Sequence, residues 1–170
     1  DLPVVGGIDD LYEPREGMKV TFVDTLTVSE YFELARFGQI ELFEGGRPRQ
    51  FTETAPPSVA GYTAHLAALA TRRVILDDDD NSQNVSLNDP NGSQFIYPPQ
   101  ANGGFSVGTQ GIDFCRGGDL VSGLTGVLDW SFAGASGTDA WRIRPTAANP
   151  ATFTVANSRP ATPPAVGGAI

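Results

Sequence analysis

Apolar and polar residues alternate along several short stretches of the chain, and this period-2 pattern predicts half-buried β-strands. The alternation runs over residues 18–22, 26–29 and 39–42, and the turn sequence EGGRP closes the third stretch. It returns over residues 120–130, where interior glycines predict a bend. The sequence therefore predicts a chain built mainly of short strands.

The clearest inward and outward positions lie in the last predicted strand and in the stretch 120–130. Trp141 and Ile143 are predicted to point inward, and Arg142 and Arg144 outward. The apolar residues of the long stretch share one predicted inner face: Leu120, Leu124, Leu128 and Trp130.

One stretch has helical periodicity instead. Ser58 follows Pro56 and Pro57 and is a good N-cap residue. The apolar residues that follow at helical spacing share one face: Val59, Tyr62, Leu66 and Leu69. Two arginines suit the C-terminal end of the helix dipole, and a short buried strand, residues 74–76, follows them.

About five principal strands and one short helix predict a mainly β fold, an OB-like Greek-key barrel with a long polar loop. An open β-sandwich is the alternative. The helix departs from the usual OB layout, because it precedes the third strand instead of following it. The predicted division is a lead-in linker at 1–16, the barrel at 17–146 with a loop insertion at 77–111, and a Pro/Ala-rich connector at 147–170. Within the insertion, residues 94–97 form a candidate short strand.

The charge balance bears on the partners of the chain. With 20 acidic and 11 basic residues, the net charge is −9, which argues against strong nucleic-acid binding by this chain alone. OB barrels nevertheless bind single strands through aromatic stacking and basic rims. The candidates for such a patch are Tyr31, Phe32, Arg36, Phe37, Arg47 and Arg49. The competing interpretation, which the charge favours, places the aromatic rings in the core and pairs the arginines with acids.

The run of four aspartates after the buried strand is a candidate calcium loop, because calcium binds through carboxylate and amide oxygens. An EF-hand is excluded, since Ser82 replaces its glycine and Asn88 its final glutamate. A different calcium loop would use Asp77, Asp78, Asp79, Asp80, Asn84 and Asp89. The favoured alternative is a solvated acidic loop.

Catalytic groups are sparse. The single histidine, His65, is predicted to lie off the apolar helix face as an exposed residue, and the single cysteine, Cys115, has no partner for a disulfide. No catalytic residues are assigned, and we expect the chain not to be an enzyme by itself. A run of about 18 apolar residues that could span a membrane is lacking. We expect the chain to be a piece of a larger protein.

Several stretches, in combination, resemble the region upstream of the catalytic domain in large secreted bacterial nucleases of the ExeM type. These nucleases belong to the endonuclease/exonuclease/phosphatase superfamily. The resembling stretches are LYEPREGMKVTF (11–22), LTVSEYFELARFGQIELFEGGR (26–47), RRVILDDDDNSQN (72–84), RGGDLVSGLTGVLDW (116–130), WRIRPT (141–146) and FTVANSRPATPPAVGG (153–168).

The resemblance implies an OB-like accessory module that positions a downstream nuclease domain of the same polypeptide and assists DNA binding. It implies a secreted or cell-surface bacterial protein whose nuclease domain uses Mg²⁺, Mn²⁺ or Ca²⁺. The family pattern after the arginines reads Leu-Asp-Asp-Gly, and here Asp79 and Asp80 replace the glycine-containing turn. The alternatives are a calcium-stabilised structural module and a stand-alone module that binds single-stranded nucleic acid. A free-standing hydrolase is disfavoured.

Overall fold

The computed structural model describes residues 2, 3, 5–81, 83, 116–134, 137–146, 148–157, 162 and 167. These residues form a mainly β structure with a few short helices. The strands are β1 (Lys19–Thr21), β2 (Leu26–Glu30), β3 (Ile40–Glu44), β4 (Arg73–Leu76), β5 (Leu120–Val121), β6 (Thr125–Phe132), β7 (Asp139–Pro145) and β8 (Phe153–Thr154). The helices are α1 (Ile8–Tyr12), a 3₁₀ turn (Glu13–Arg15), α2 (Leu34–Phe37), α3 (Phe51–Thr54) and α4 (Val59–Ala70).

All eight strands belong to one sheet in the order β1-β6-β7-β4-β3-β2-β5-β8. Neighbouring strands are antiparallel except β4 and β7, which are parallel. β1 pairs with β6 and β2 pairs with β3, although only residues 22–25 separate β1 from β2. The sheet must therefore curl, and it forms a half-barrel.

The concave side of the sheet holds the hydrophobic core, because alternate strand residues face the same side. Leu26, Val28, Ile40, Leu42, Val74, Leu76, Leu128 and Ile143 are at most 1% exposed and belong to this core. The predicted alternation is thus confirmed at the positions named in β2, β3, β6 and β7. The predicted continuous buried run at 74–76 is also confirmed, since Ile75 is only 4% exposed. Trp141 is buried as predicted, whereas Trp130 is 42% exposed and packs edge-on against Trp141 at 5.2 Å between ring centroids.

The single long strand predicted over residues 120–130 is two strands. β5 pairs with β2 and β8, and β6 pairs with β1 and β7. Gly123 lies between them with φ of +63°, in the left-handed region that glycine adopts without strain. The predicted bend is therefore a complete break, which lets the chain change its pairing partners.

Helix α4 begins after Ser58, whose side chain accepts a hydrogen bond from the Gly61 N–H at 3.2 Å, as the N-cap prediction requires. Its apolar face is not part of the core, however. Val59 is 86% exposed, Tyr62 50% and Leu66 46%. Helical periodicity identified the apolar face but not what covers it.

Parts of the predicted linkers belong to the folded body. In the lead-in, Leu2 and Tyr12 are buried in the hydrophobic core, and the Trp141 indole donates a hydrogen bond to Asp9 at 2.6 Å. In the connector, Phe153 is 9% exposed, and its strand β8 extends the sheet beside β5. Most of the loop insertion, including the candidate strand at residues 94–97, lies outside the described residues.

Candidate functional site

The convex side of the sheet carries a cluster of charged side chains around the end of β4. Asp77 follows this strand and is 0% exposed. Its Oδ2 accepts hydrogen bonds from Arg142 Nη1 and Gln39 Nε2, both at 2.8 Å. Its Oδ1 accepts from the Asp79 N–H at 2.9 Å and lies 3.6 Å from Arg144 Nε. The prediction of a solvated loop is therefore wrong for Asp77.

Arg142 is the central cation of this cluster. It was predicted to point outward to solvent, yet it is 0% exposed. Its Nη2 donates to Asp129 Oδ2 at 3.0 Å and contacts the Ser131 hydroxyl, and its Nη1 also donates to Asn81 Oδ1 at 3.0 Å. The face of the strand was predicted correctly, but residues 77–81 and the neighbouring strands cover it.

Sheet register explains why these groups meet. Arg142 in β7 lies opposite Asp129 in β6 and opposite Ile75 in β4. Asp77 is two residues beyond Ile75, so its side chain leaves the same side of the sheet. Its backbone N–H continues the pairing by donating to the Ile143 carbonyl at 3.0 Å. The parallel pairing of β4 with β7 thus places an acid beside an arginine distant in sequence.

Burial and nearby charges or hydrogen bonds shift the pKa values of the clustered aspartates in opposite directions. Burial raises the pKa of Asp77, while Arg142 and the hydrogen bonds to its carboxylate act to lower it. At Asp129 burial is outweighed by the Ser131 hydroxyl and the two arginines, which together lower the pKa. Burial raises the pKa of Asp78 to about 7, against the opposing hydrogen bond from the Asp80 N–H. Unlike Asp77 and Asp79, Asp78 has no arginine partner in the described ion pairs.

The predicted calcium ligands have other partners in this arrangement. Both Asp77 oxygens are engaged as described, Asp79 pairs with Arg144 Nη1 at 2.8 Å, and Asp78 Oδ1 accepts a hydrogen bond from the Asp80 N–H at 3.0 Å. Across the part of the chain that the structure describes, no group of three or more His, Cys, Asp or Glu side chains is arranged to hold a metal ion. Asn84 and Asp89 lie outside the described residues. Calcium binding therefore stays an alternative hypothesis for this loop.

The predicted nucleic-acid residues fall into two groups at opposite ends of β3. Tyr31, Arg36 and Phe37 lie in the connection that precedes the strand. Tyr31 is 47% exposed, but Phe37 is only 7% exposed and packs against Phe132 with ring centroids 4.9 Å apart. The Arg36 guanidinium lies 4.9 Å from the centre of the Phe37 ring and 3.9 Å from Glu33. Phe37 therefore offers no exposed face for base stacking.

Acidic side chains lie in the same connection as this first group. Glu30, Glu33 and Glu41 line a small cavity of about 40 Å³ beside Gln39, and Glu33 also pairs with Arg36. Carboxylates repel phosphate, so this cavity does not favour a nucleic-acid backbone.

The second group, Arg47 and Arg49, follows β3. The Arg47 guanidinium lies over Gly117, where an added Cβ would be 2.8 Å from its Cζ. Arg49 is exposed and lines a groove between α3 and α4. Neither arginine has a carboxylate partner among the described ion pairs. The six predicted residues thus fall into two groups, one before β3 and one after it.

The groove itself was not predicted as a site. It has a volume of about 730 Å³, and its lining includes the apolar face of α4 together with Phe51 of α3. His65 also lines it, with its ring 5.8 Å from that of Phe51, so the prediction of His65 as an exposed residue off the apolar face is wrong. The available sequence signal was that α4, VAGYTAHLAALA, contains no Asp, Glu, Lys or Arg.

The comparisons with known proteins give no independent identification. No family model, curated protein or solved structure matches the chain. The resemblance to secreted nucleases is therefore carried by the sequence stretches alone. Cys115 lies outside the described residues, and no helix among those described is long and apolar enough to cross a membrane.

Proposed function

We propose that this chain is a non-catalytic, OB-like accessory module of a secreted nuclease, which holds a downstream nuclease domain in place. The observation that carries the OB-like part of the proposal is the strand order, whereas the nuclease context rests on the sequence resemblance. In an OB barrel a bent first strand pairs with both the second and the fourth, and the third runs parallel to the fifth. β1 and β2 together correspond to the first strand, and β3, β4, β6 and β7 to the second, third, fourth and fifth.

The departures from that order are additions. β5 and β8 extend the sheet beyond β2, and α4 lies between the second and third corresponding strands. Neither addition is inserted in the sheet between the strands that we compare with the OB order, so the pairings of those strands support the OB-like proposal.

The backbone at position 79 also supports the resemblance. The family pattern has glycine after Leu-Asp-Asp, and Asp79 occupies that place with φ of +69°. A left-handed backbone favours glycine and tolerates aspartate better than most residues. The turn required by the family pattern is therefore compatible with the residue that replaces its glycine.

Two features favour a positioning role. The lead-in and the beginning of the connector both pack onto the sheet, through Tyr12 and Phe153 respectively. A module that fixes neighbouring domains needs its two ends attached to one body. In addition, ion pairs with carboxylates occupy five arginines of the described chain: Arg36, Arg72, Arg73, Arg142 and Arg144. Their charges are balanced by these carboxylates, so they do not add to a net cationic surface.

The proposal has a direct test in the polypeptide to which the chain belongs. We expect its coding sequence to continue into an endonuclease/exonuclease/phosphatase domain. In that polypeptide, replacing residues 17–157 by a flexible Gly/Ser linker should leave hydrolysis of a small phosphodiester unchanged and slow the degradation of long DNA. Absence of such a domain, equal activity on both substrates after the replacement, or phosphodiesterase activity of this chain alone would contradict the proposal.

The second candidate function is binding of single-stranded nucleic acid. It is favoured by Phe32, which is 75% exposed, and by Arg47 and Arg49, which have no carboxylate partner among the described ion pairs. Fluorescence anisotropy with labelled oligo-dT distinguishes it from the first. A positioning module gives no saturable binding at low salt. Binding that weakens steeply with salt and disappears in Arg47→Ala/Arg49→Ala would establish the second candidate instead.

A further inference from the structure

Helix α4 has a surface that is unusual for an exposed helix. It has 12 residues and is therefore about 18 Å long. Only Gly61, His65 and Leu69 are half-buried, and the other residues are exposed. A helix that lacks charged residues is normally buried against other apolar surface. The exposed side chains of α4 are thus a candidate interface.

The groove beside α4 is large enough for a peptide. Its floor is formed by Phe51, whose ring lies 6.2 Å from that of Tyr62, and by Leu66 and Leu69 of α4. Its volume of about 730 Å³ lies in the range of specific binding sites. An amphipathic helix that occupies such a groove inserts apolar residues at positions i, i+3 or i+4, and i+7.

The charges at the groove select among occupants. Arg49 is the charged residue of the lining, which contains no Asp or Glu, although acids outnumber bases almost two to one in the whole chain. Arg49 has no carboxylate partner in the described ion pairs. Ser58 places the positive end of the α4 dipole at the same groove. These features complement an apolar segment that carries carboxylates.

Other occupants fit less well. Nucleic acid requires several cations along its backbone, and Arg49 is the only arginine or lysine in the lining. A second copy packed through its own α4 would bring a helix without charged residues, leaving Arg49 unpaired. We propose that the groove between α3 and α4 binds an acidic amphipathic helix of another polypeptide segment. Its apolar face packs on Tyr62 and Leu66, and a carboxylate pairs with Arg49.

The test uses the folded chain and a library of displayed 16-residue helical peptides with randomised charge. Selection on the wild-type chain, with removal of peptides that bind Leu66→Glu, should enrich sequences that have net negative charge and apolar residues at i, i+4 and i+7. The best peptide should bind with a dissociation constant in the micromolar range by fluorescence anisotropy.

Matched variants separate the groove from general effects of charge. Leu66→Glu should weaken binding at least tenfold, whereas Ala64→Glu, an exposed substitution on the opposite side of the same helix, should change it less than twofold. Arg49→Gln should weaken binding several-fold, and Lys19→Gln, which changes the net charge equally at a distant exposed site, should not.

Four results would overturn the proposal. They are a lack of enrichment, enrichment of net basic peptides, oligo-dT binding that Leu66→Glu abolishes, and a concentration-dependent dimer that Leu66→Glu dissociates in the absence of peptide binding. Far-UV circular dichroism of each variant establishes that it is folded. Because Leu66 and Ala64 are both exposed, neither substitution removes a core side chain.

Discussion

Arg142 and Asp77 form an ion pair of 2.8 Å between two side chains that are both fully excluded from solvent. The pair joins β7 to the end of β4, the two parallel strands of the sheet. Its charges are desolvated, so the energetic importance of the pair lies in the cost of leaving one partner without the other. This relationship determines how the convex side of the sheet responds to substitution.

Removing one member of the pair should strongly destabilise the fold. We expect Arg142→Met to reduce the free energy of unfolding by about 3–5 kcal/mol, because Asp77 then remains buried without its main cation. The double variant Arg142→Met/Asp77→Leu should recover part of that loss, since it removes both buried charges. Urea unfolding curves give the free energy of unfolding of the wild type and of both variants.

The control is an ion pair of similar length at the surface. Arg73 pairs with Glu41 at 3.1 Å but is 40% exposed. Arg73→Met should cost less than about 1 kcal/mol. Equal losses for Arg73→Met and Arg142→Met would refute the distinction between the two pairs.

Asp78 should make the protein less stable as the pH rises. Its pKa is raised from the ordinary value of 3.8 to about 7, so the folded state holds a proton that the unfolded state releases. The stability contribution is complete below the unfolded pKa and is lost as the pH rises through the folded pKa. Between about pH 5 and pH 7.5, the wild type should lose on the order of 1–3 kcal/mol more than Asp78→Asn.

The measurement is a series of urea unfolding curves across that range, with Asp139→Asn at an exposed position as the control. Asp77 is retained in both variants, so its own raised pKa contributes equally to the comparison. The assignment to Asp78 fails if Asp78→Asn keeps the wild-type pH dependence.

A side chain at Gly38 should destabilise the protein more than the left-handed backbone conformation alone would. Gly38 and Gly17 have similar left-handed φ angles of +67° and +74°. A Cβ at Gly38 would collide with the Asp78 carboxyl group, whereas nothing lies within 4 Å of a Cβ at Gly17. Gly38→Ala should therefore be less stable than Gly17→Ala by about 1–2 kcal/mol. Thermal melts of the two variants measure the difference, and equal Tm values would exclude the collision.

Calcium should leave the melting temperature unchanged. A ligand that binds only the folded state raises Tm, but Asp77, Asp79 and Asn81 are already engaged with arginines. Melts in EDTA, millimolar magnesium and millimolar calcium make the comparison. A calcium-specific rise of several degrees that Asp79→Asn removes would contradict this expectation and establish the metal loop.

The sequence was sufficient to predict where most of the strands lie, but not which of their faces other parts of the chain cover. Alternation located β1, β3 and β7 correctly, because one side of each faces the core. The same alternation placed Arg142 on the convex side without indicating that residues 77–81 would bury it there. A face is a local property of a strand, whereas burial depends on what packs over it.

The same distinction applies to α4. Its N-cap and its apolar residues predicted the helix, and the structure leaves that apolar face largely uncovered. β8 escaped prediction because a strand of two residues in a Pro/Ala-rich stretch has too few positions to display a period. The ion-pair cluster could not be derived, since it depends on β4 and β7 being neighbours.

The pairing of β4 with β7 also governs the order in which the chain can fold. Ile75 and Arg142 become neighbours only after the intervening polypeptide has been synthesised, so β4 leaves the ribosome well before its parallel partner exists. Closing so long a loop costs entropy before any contact compensates it, and topologies rich in distant contacts fold slowly. During that interval β4, with its apolar residues Val74–Ile75–Leu76, lacks its β7 partner. An unpaired apolar strand edge can pair with other chains, so we expect the arrival of β7 to remove an edge on which aggregation could begin.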